Sequence, residues 1–298
     1  MPSSTTHNKG AERRLATLLL APTVLGVGLF TVVPIVGSFA LAFFEWNIIS
    51  PPQFVGLDNF AEVGSDPTVV TSFVNTILLM VGAVTLQLVI ALLLANLLQS
   101  KMPHWLRLVF RSTFFFPLVL SAASISVVMK YLFNEQFGVI NWALGLIGIS
   151  PVSWLTSTFW APVTVILVYV WQQFGFTFLL FIGGLNNIPK EMYEAASLDG
   201  ASGWKQMRSV TLPLLSPVML VASVVAIINA LQIFEQPFVM TGGGPGDATR
   251  TAVMVMYESG FERLDFGQAS AIGAILFALI LGVTALQFRL SRRFVFYQ

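Results

Sequence analysis

Six long apolar stretches, joined by short connections, are the feature that most constrains how this 298-residue chain can fold. A bilayer core is about 30 Å thick, and a helix needs about 20 apolar residues to cross it. With 56% hydrophobic and only 10% charged residues, the chain leaves no room for a sizeable soluble domain. We therefore predict an all-α, polytopic membrane protein with six transmembrane helices. The stretches are approximately Leu15–Phe44, Val69–Leu98, Leu108–Phe133, Phe159–Gly184, Leu212–Phe234 and Ala269–Leu290.

The first stretch could also be a cleaved signal peptide, because it follows Arg13 and Arg14 and ends near Ala40-Leu41-Ala42. However, about 25 apolar residues precede those alanines, whereas the apolar core of a signal peptide has about 7–15. We interpret the stretch as a retained span. The predicted organisation is an N-terminal tail over 1–14, a membrane domain over 15–290 and a C-terminal tail over 291–298.

Basic residues predict the orientation of the spans. With the N-terminus in the cytoplasm, only Lys130, Arg250 and Arg263 of the fifteen basic residues lie on the outer side, and the other twelve lie on the cytoplasmic side. Cytoplasmic loops characteristically carry this excess of Lys and Arg. We therefore expect both termini and the 185–211 loop to be cytoplasmic, with the segments 45–68, 134–158 and 235–268 outside.

Several chemistries are poorly supported by the sequence. No phosphate-binding Gly-x-x-x-x-Gly-Lys-Ser/Thr motif occurs, so we expect no ATP on this chain. The chain has no cysteine, and its two histidines lie in a tail and a loop, which makes a metal site improbable. The net charge of +1 gives no reason to expect nucleic-acid binding. We predict that the chain is not an enzyme and binds no cofactor.

The loop over 185–211 is polar and rich in small residues between two very apolar stretches. Pro189 suits the start of a helix, and Gly200 can adopt a positive φ and end it. Asp199 or Ser202 could cap a second short helix that carries Trp204 and Met207. Pro213 would then open the next span. This pattern is consistent with two structures. One is an amphipathic segment resting on lipid, and the other is a bent helix pair with an exposed apolar knob.

The spacing within this loop favours the second interpretation. The segment resembles the EAA loop of ABC importer permeases, in which EAA, DGA and LP recur at fixed distances and the membrane subunit contacts the ATPase. Met207 and Val210 replace the usual Phe and Ile but remain apolar. The resemblance implies that ATPase coupling rests on Glu194, Ala195, Ala196, Asp199, Gly200, Ala201, Trp204, Met207, Leu212 and Pro213.

The resemblance extends over roughly 15–298 and is to the carbohydrate-uptake branch of these permeases. It includes the stretches 171–176, 184–189 and 241–245. It implies a type I importer fold, a multi-pass inner-membrane location, a second homologous permease, a dimeric ATPase that holds ATP and Mg²⁺, and an extracytoplasmic solute-binding protein. A secondary transporter or channel is the rival interpretation, but such proteins usually carry charges near the bilayer midplane, and these spans carry almost none.

Polar side chains within the spans are the candidates for the substrate path: Asn75, Gln87, Gln172, Gln173, Thr177, Asn229 and Gln232. Amides suit the hydroxyls of a sugar, and we expect Asn229, Gln232 and Gln236 to share a helix face. The alternative is that these residues only hydrogen-bond between helices. The absence of intramembrane basic clusters favours a neutral sugar or polyol over the alternative substrates, glycerol-3-phosphate or a glycerophosphodiester.

Overall fold

The computed structural model describes residues 9–98 and 103–294, and helices dominate it. The first three spans comprise α1 (Lys9–Val27), a π-helical turn (Gly28–Val32), α2 (Val33–Leu41), α4 (Pro67–Leu98), α5 (His104–Val119) and α6 (Ala122–Leu132). The last three comprise α8 (Trp160–Asn186), α10 (Trp204–Gln206), a π-helical turn (Met207–Thr211), α11 (Leu212–Leu231) and α14 (Phe266–Phe294).

Five of these helical segments are individually long and apolar enough to cross a membrane, and the bent pair α5 and α6 makes a sixth candidate. The prediction of a six-span, largely helical membrane fold is confirmed on that count. One small exception to the all-α prediction is an antiparallel ribbon of β1 (Phe44–Glu45) and β2 (Gln53–Phe54).

The third span is not the straight helix expected over Leu108–Phe133. Its two halves meet at an angle of 101°. Pro117 lies in the last turn of α5, where it lacks the N–H for a helical hydrogen bond and its ring crowds the carbonyl of the preceding turn, which kinks or breaks a helix. Ser121 then caps α6 by accepting a hydrogen bond from the N–H of Ser124.

The fifth span also differs from its predicted limits of Leu212–Phe234. The helix runs without interruption from Trp204, so Pro213 does not open it. The π-helical turn over Met207–Thr211 immediately precedes this proline, and such a turn can accommodate a residue that lacks an N–H. The span ends early, at Leu231, and α12 (Glu235–Thr241) begins as a separate helix.

Helices α4, α8 and α11 form the core of the bundle, with Phe178, Phe181 and Leu215 fully buried between them. Close packing requires glycine at one point: a Cβ on Gly175 of α8 would lie 2.1 Å from the carbonyl oxygen of Phe114 on α5. The first span contributes little to this core, because the apolar window within Arg14–Leu41 is 0% buried.

The two ends of the bundle differ in their connections. We call the end that carries residues 187–203 the loop side. The opposite end, the far side, carries the ribbon, α3 (Asp58–Ser65), α7 (Val139–Leu146) and α13 (Ala252–Tyr257). The amide of Asn75 anchors the connection before α13 by donating to the carbonyls of Asp247 (2.6 Å) and Arg250 (3.2 Å).

Candidate functional site

The loop-side elbow is built from α9 (Lys190–Leu198), a tight turn and α10. Gly200 has φ +71° and Gly203 has φ +46°, both in the region that favours glycine. The positive φ expected at Gly200 is therefore present. The turn reverses the chain so that α10 begins beside the helix that has just ended.

One side chain that the sequence did not single out holds this elbow together. The amide of Gln206 donates to the carbonyl of Ala201 (3.0 Å) and to the hydroxyl of Ser197 (2.8 Å). Tyr193 and Thr211 add a hydroxyl–hydroxyl bond of 3.1 Å between α9 and the π-helical turn. These bonds fix the angle of the elbow from its inner side, where Ala201 is buried.

The capping predicted for α10 is wrong. Gly203 is its N-cap residue, and no side chain makes a capping bond there. Asp199 instead ends α9, and its carboxylate is exposed and makes no hydrogen bond within the described residues. Replacing Asp199 therefore removes no capping bond.

The outer side of the elbow presents an apolar knob to solvent. Leu198 is 90% exposed and Trp204 is 74% exposed. Among the predicted coupling residues, Glu194, Ala195, Asp199 and Gly200 are also exposed, whereas Ala196, Met207, Leu212 and Pro213 are half-buried. Leu198 was missed as a candidate, although its place between the EAA and DGA segments could have identified it. Large exposed apolar side chains of this kind mark a surface that another protein or a membrane covers.

A second candidate site is a cavity of about 190 Å³ inside the bundle. It brings together four of the predicted path residues from three helices, namely Gln87, Gln173, Thr177 and Asn229, along with Leu118, Tyr169, Phe176, Val225 and Ala226. No charged side chain lines it. The lining of the cavity therefore combines neutral polar groups, aromatic rings and aliphatic side chains.

The polar groups of this cavity have unused hydrogen-bonding capacity. Gln87 donates to the Thr177 hydroxyl (2.8 Å), but its Oε1 atom is buried and has no partner in the described ranges of the chain. The side-chain amides of Gln173 and Asn229 make no hydrogen bond within the described residues. Gln173 is half-buried and Asn229 is exposed, so the burial cost of a missing partner applies chiefly to Gln87. All three groups can bond a ligand or water in the cavity.

Tyr169 is the cavity residue that sequence reasoning missed. Its side chain is 3% exposed, it lines the cavity, and its hydroxyl has no hydrogen-bond partner among the residues that the structure describes. Residue type alone does not distinguish a tyrosine that lines a cavity from one that only packs within a span. Its position four residues before Gln173, one turn away on the same helix, was the signal available.

Three predicted path residues lie apart from the cavity. Asn75 anchors the far-side connection. Gln172 donates to the carbonyl of Leu120 (3.2 Å) at the break between α5 and α6, and accepts from Gln236 (2.7 Å). Gln232 is the exposed residue that ends α11. The shared helix face expected for Asn229, Gln232 and Gln236 is absent, because the helix ends before Gln232.

Comparison with known proteins gives consistent matches over most of the chain. The family described as "Binding-protein-dependent transport system inner membrane component" matches residues 87–296. The sulfoquinovosyl glycerol transport system permease protein SmoG of Agrobacterium fabrum is 34% identical over 283 residues, covering 94% of this chain and 91% of that protein. The trehalose/maltose transport system permease protein MalF of Thermococcus litoralis is 32% identical over 289 residues, covering 97% of each chain.

Further matches agree in length and fold. The multiple sugar-binding transport system permease protein MsmF of Streptococcus mutans is 33% identical over 279 residues, covering 93% of this chain and 95% of that protein. One chain of a bacterial ABC transporter involved in the import of alginate superposes with a TM-score of 0.83 at 22% identity, covering 95% of this chain and 96% of that one. The structural likeness supports the arrangement of helices described above.

Proposed function

The chain belongs to the family of inner membrane components of binding-protein-dependent transport systems, and from that premise we propose that it is one permease subunit of an ATP-driven importer for a sugar or related neutral polyol. The cavity at Gln87, Tyr169, Gln173 and Asn229 is the observation that carries this proposal. Its unpaired amides and hydroxyl match the many hydroxyls of a sugar, and its rings and aliphatic walls match the apolar faces of a pyranose.

The absence of charge around the cavity favours a neutral substrate. A phosphate-bearing solute such as glycerol-3-phosphate would need a cationic partner in a setting of low dielectric, because a buried charge is costly when it is not paired. None of the side chains that line the cavity can provide one. Several relatives are named for sugar or glycoside transport, which agrees with this choice.

The energy for transport would come from a protein other than this chain. In our proposal a dimeric ATPase holds ATP and Mg²⁺, docks against the exposed knob of Leu198 and Trp204, and moves the elbow as a rigid lever. The bonds of Gln206 and Tyr193 support this role, because they tie α9 to the helix that continues into α11. Helix α11 carries Asn229, so a displacement of the elbow alters the cavity.

A second permease and an extracytoplasmic binding protein complete the proposed importer. The exposed first span, whose apolar window has no buried residues, has apolar surface available for another membrane chain or for lipid. We place the protein in the inner membrane with both termini in the cytoplasm.

Uptake by the assembled importer tests the proposal. Proteoliposomes that hold both permeases and the ATPase, supplied with the binding protein, are to be assayed with radiolabelled maltose, trehalose, lactose and glycerol-3-phosphate. We expect ATP-dependent uptake of at least one of the three sugars and none of glycerol-3-phosphate. Uptake of glycerol-3-phosphate alone would overturn the assignment to neutral sugars.

Alanine variants within α8 and α11 test the cavity itself. Gln173→Ala and Asn229→Ala remove side-chain amides that make no hydrogen bond in the described part of the chain, so we expect impaired transport with an unchanged Tm of the complex. Gln172→Ala is the matched control, because it removes two interhelical bonds and should lower the Tm. Normal transport in both cavity variants, across all the sugars that are taken up, would exclude the cavity as the path.

A further inference from the structure

A groove of about 510 Å³ opens between α11 and α14 on the loop side of the bundle, and it shares no lining residue with the polar cavity. Leu212 and Leu220 line it from α11, Leu290 lines it from α14, and Leu88 contributes from α4. We call it the loop-side groove. Its volume falls within the range of about 300–1,000 Å³ that is usual for small-molecule sites.

The serines of this groove add little polarity to its surface. Each donates its hydroxyl to a backbone carbonyl three residues earlier on its own helix, a common arrangement for serine within a helix. The bonds are Ser216 to Pro213 (2.6 Å), Ser223 to Leu220 (2.9 Å) and Ser291 to Phe288 (2.9 Å). The groove therefore presents a mainly aliphatic wall, which distinguishes it from the polar cavity.

The groove is long in one direction, along α11. Arg208 lines its loop-side end, and Ser223 lines it fifteen residues further along the same uninterrupted helix. At 1.5 Å per residue this separation is about 22 Å, close to half of the roughly 40–45 Å thickness of a bilayer with its headgroups. At the inner end the amide of Gln287 on α14 donates to the hydroxyl of Ser223 (3.4 Å). The groove is therefore about as long as one leaflet is thick.

Positive charge is concentrated at the loop-side end of the groove. The guanidinium of Arg208 is exposed and makes no hydrogen bond or ion pair within residues 9–98 and 103–294. Arg289 and Arg292 are also exposed, near the end of α14 on the same side. Neither α14 nor the uninterrupted helix that contains α11 carries an aspartate or a glutamate. No carboxylate of the two wall helices can therefore neutralise these cations.

An anionic phospholipid is the occupant that matches all of these features. Its phosphate suits an arginine, whose planar guanidinium can donate two hydrogen bonds to phosphate oxygens, and its acyl chains suit an aliphatic groove of one leaflet's length. A soluble anion would use the cation but not the groove. An apolar protein segment would fill the groove but leave the cations without a partner. Membrane topology explains why basic residues lie on this side, but it does not require a long apolar groove beside them.

From these features we propose that the loop-side groove binds one anionic phospholipid, with its phosphate at Arg208 and an acyl chain between α11 and α14. Arg289 and Arg292 add positive charge at the level of the headgroup. A lipid bound here contacts α14 through Leu290 and the helix that continues from the elbow through Leu212. The inference concerns neither the polar cavity nor the transported solute, so it stands apart from the proposed function.

Lipid retention measured by native mass spectrometry tests the site. The purified full-length protein, together with any subunits that co-purify with it, is titrated with phosphatidylglycerol or with phosphatidylcholine that has the same acyl chains. We expect the wild-type protein to retain phosphatidylglycerol in preference to phosphatidylcholine. Arg208→Gln removes one positive charge but keeps a polar side chain, and it should weaken the retention of phosphatidylglycerol about three- to tenfold.

Two further variants separate the groove from general surface charge. Lys190→Gln is the matched control, because it removes one exposed cation at the start of α9, on the loop side but outside the groove. It should leave retention unchanged. Leu220→Trp fills the groove without altering any charge, and it should also weaken retention. Equal retention of both lipids by the wild-type protein, equal losses in Arg208→Gln and Lys190→Gln, or unchanged retention in Leu220→Trp would each overturn the proposal.

Photo-crosslinking from within the groove identifies its occupant directly. The chain has no cysteine, so Leu220→Cys gives it a single thiol, which can carry a benzophenone maleimide. After irradiation in vesicles of equal parts phosphatidylglycerol and phosphatidylcholine, the labelled peptide should carry a phospholipid adduct, mainly of phosphatidylglycerol. An adduct with a peptide of another subunit would overturn the proposal, because the groove would then be a subunit interface. Neither experiment measures transport, so this proposal and the proposed function can fail separately.

Discussion

At the scale of single residues, the hydroxyl of Tyr169 allows ligand binding to be separated from folding. This hydroxyl is buried beside the cavity and makes no hydrogen bond within residues 9–98 and 103–294. Tyr169→Phe therefore removes no intramolecular hydrogen bond, and we expect the Tm of the complex to be unchanged or slightly raised. If a sugar hydroxyl pairs with Tyr169, the KM for uptake should rise about two- to tenfold, in line with about 0.5–1.5 kcal/mol per hydrogen bond. An unchanged KM would remove Tyr169 from the path.

Gly200 is the residue on which the shape of the elbow depends. Its φ of +71° is strained for any side chain, although a Cβ there would meet no atom within 4 Å. Valine at this position costs about 1–2 kcal/mol through backbone strain rather than through a clash. We expect Gly200→Val to insert in the membrane normally but to lose co-purification with the ATPase. Gly183→Val is the matched control, since Gly183 is helical and equally open. Normal ATPase recovery with Gly200→Val would argue against the docking role.

At the scale of secondary-structure elements, the break between α5 and α6 explains why Gln172 faces away from the cavity. A helix that stops leaves carbonyls without partners, and the carbonyl of Leu120 receives its hydrogen bond from Gln172 instead. The neighbouring Gln173 points into the cavity. Two adjacent glutamines on one helix therefore have different tasks, one in packing and one on the proposed path.

The contact between α5 and α8 depends on Gly175. A Cβ at this position would lie 2.1 Å from the carbonyl oxygen of Phe114 and 3.1 Å from the Cα of Phe115, so the backbones would have to separate. We expect Gly175→Ala to destabilise the protein by about 1–3 kcal/mol, seen as a lower Tm of the detergent-solubilised complex. Gly183→Ala on the same helix has open space and should leave the Tm unchanged. Equal Tm values for both variants would contradict the packing described for Gly175.

At the scale of the whole molecule, the orientation in the membrane is the property that the basic residues predict. In the predicted topology twelve of the fifteen fall on the side of the termini and the 185–211 loop, and we expect that side to be cytoplasmic. A reporter fused after Ser150 should therefore behave as external, and one fused after Gly203 as cytoplasmic. Alkaline phosphatase and fluorescent-protein fusions at the two sites measure this directly. The reverse pattern at either site would refute the orientation.

Dependence on partners is also a whole-molecule property. The sequence carries no Gly-x-x-x-x-Gly-Lys-Ser/Thr motif, and in the function we propose a separate ATPase acts on the chain mechanically through the elbow. We expect the purified chain alone, in proteoliposomes loaded with ATP and Mg²⁺, to show no ATP-driven uptake of maltose, trehalose or lactose. Uptake at the rate of the complete importer would refute the need for a separate ATPase.

The sequence by itself determined the features that depend on composition and local spacing. Long apolar stretches specify spans because hydrocarbon excludes charge whatever the tertiary arrangement. The positive φ of Gly200 follows from a small-residue turn between two short helices. The family was also evident from the fixed spacing around Glu194, Asp199 and Pro213.

Only the tertiary structure decided which polar side chains face the cavity, because that depends on where each helix ends and what lies beside it. Leu231 ends α11 before Gln232, which separates Gln232 from Asn229, and the 101° bend after α5 diverts Gln172 into packing. Tyr169 likewise is a residue that nothing distinguishes in the sequence. Its hydroxyl lies at the cavity only because α4, α8 and α11 pack together around it.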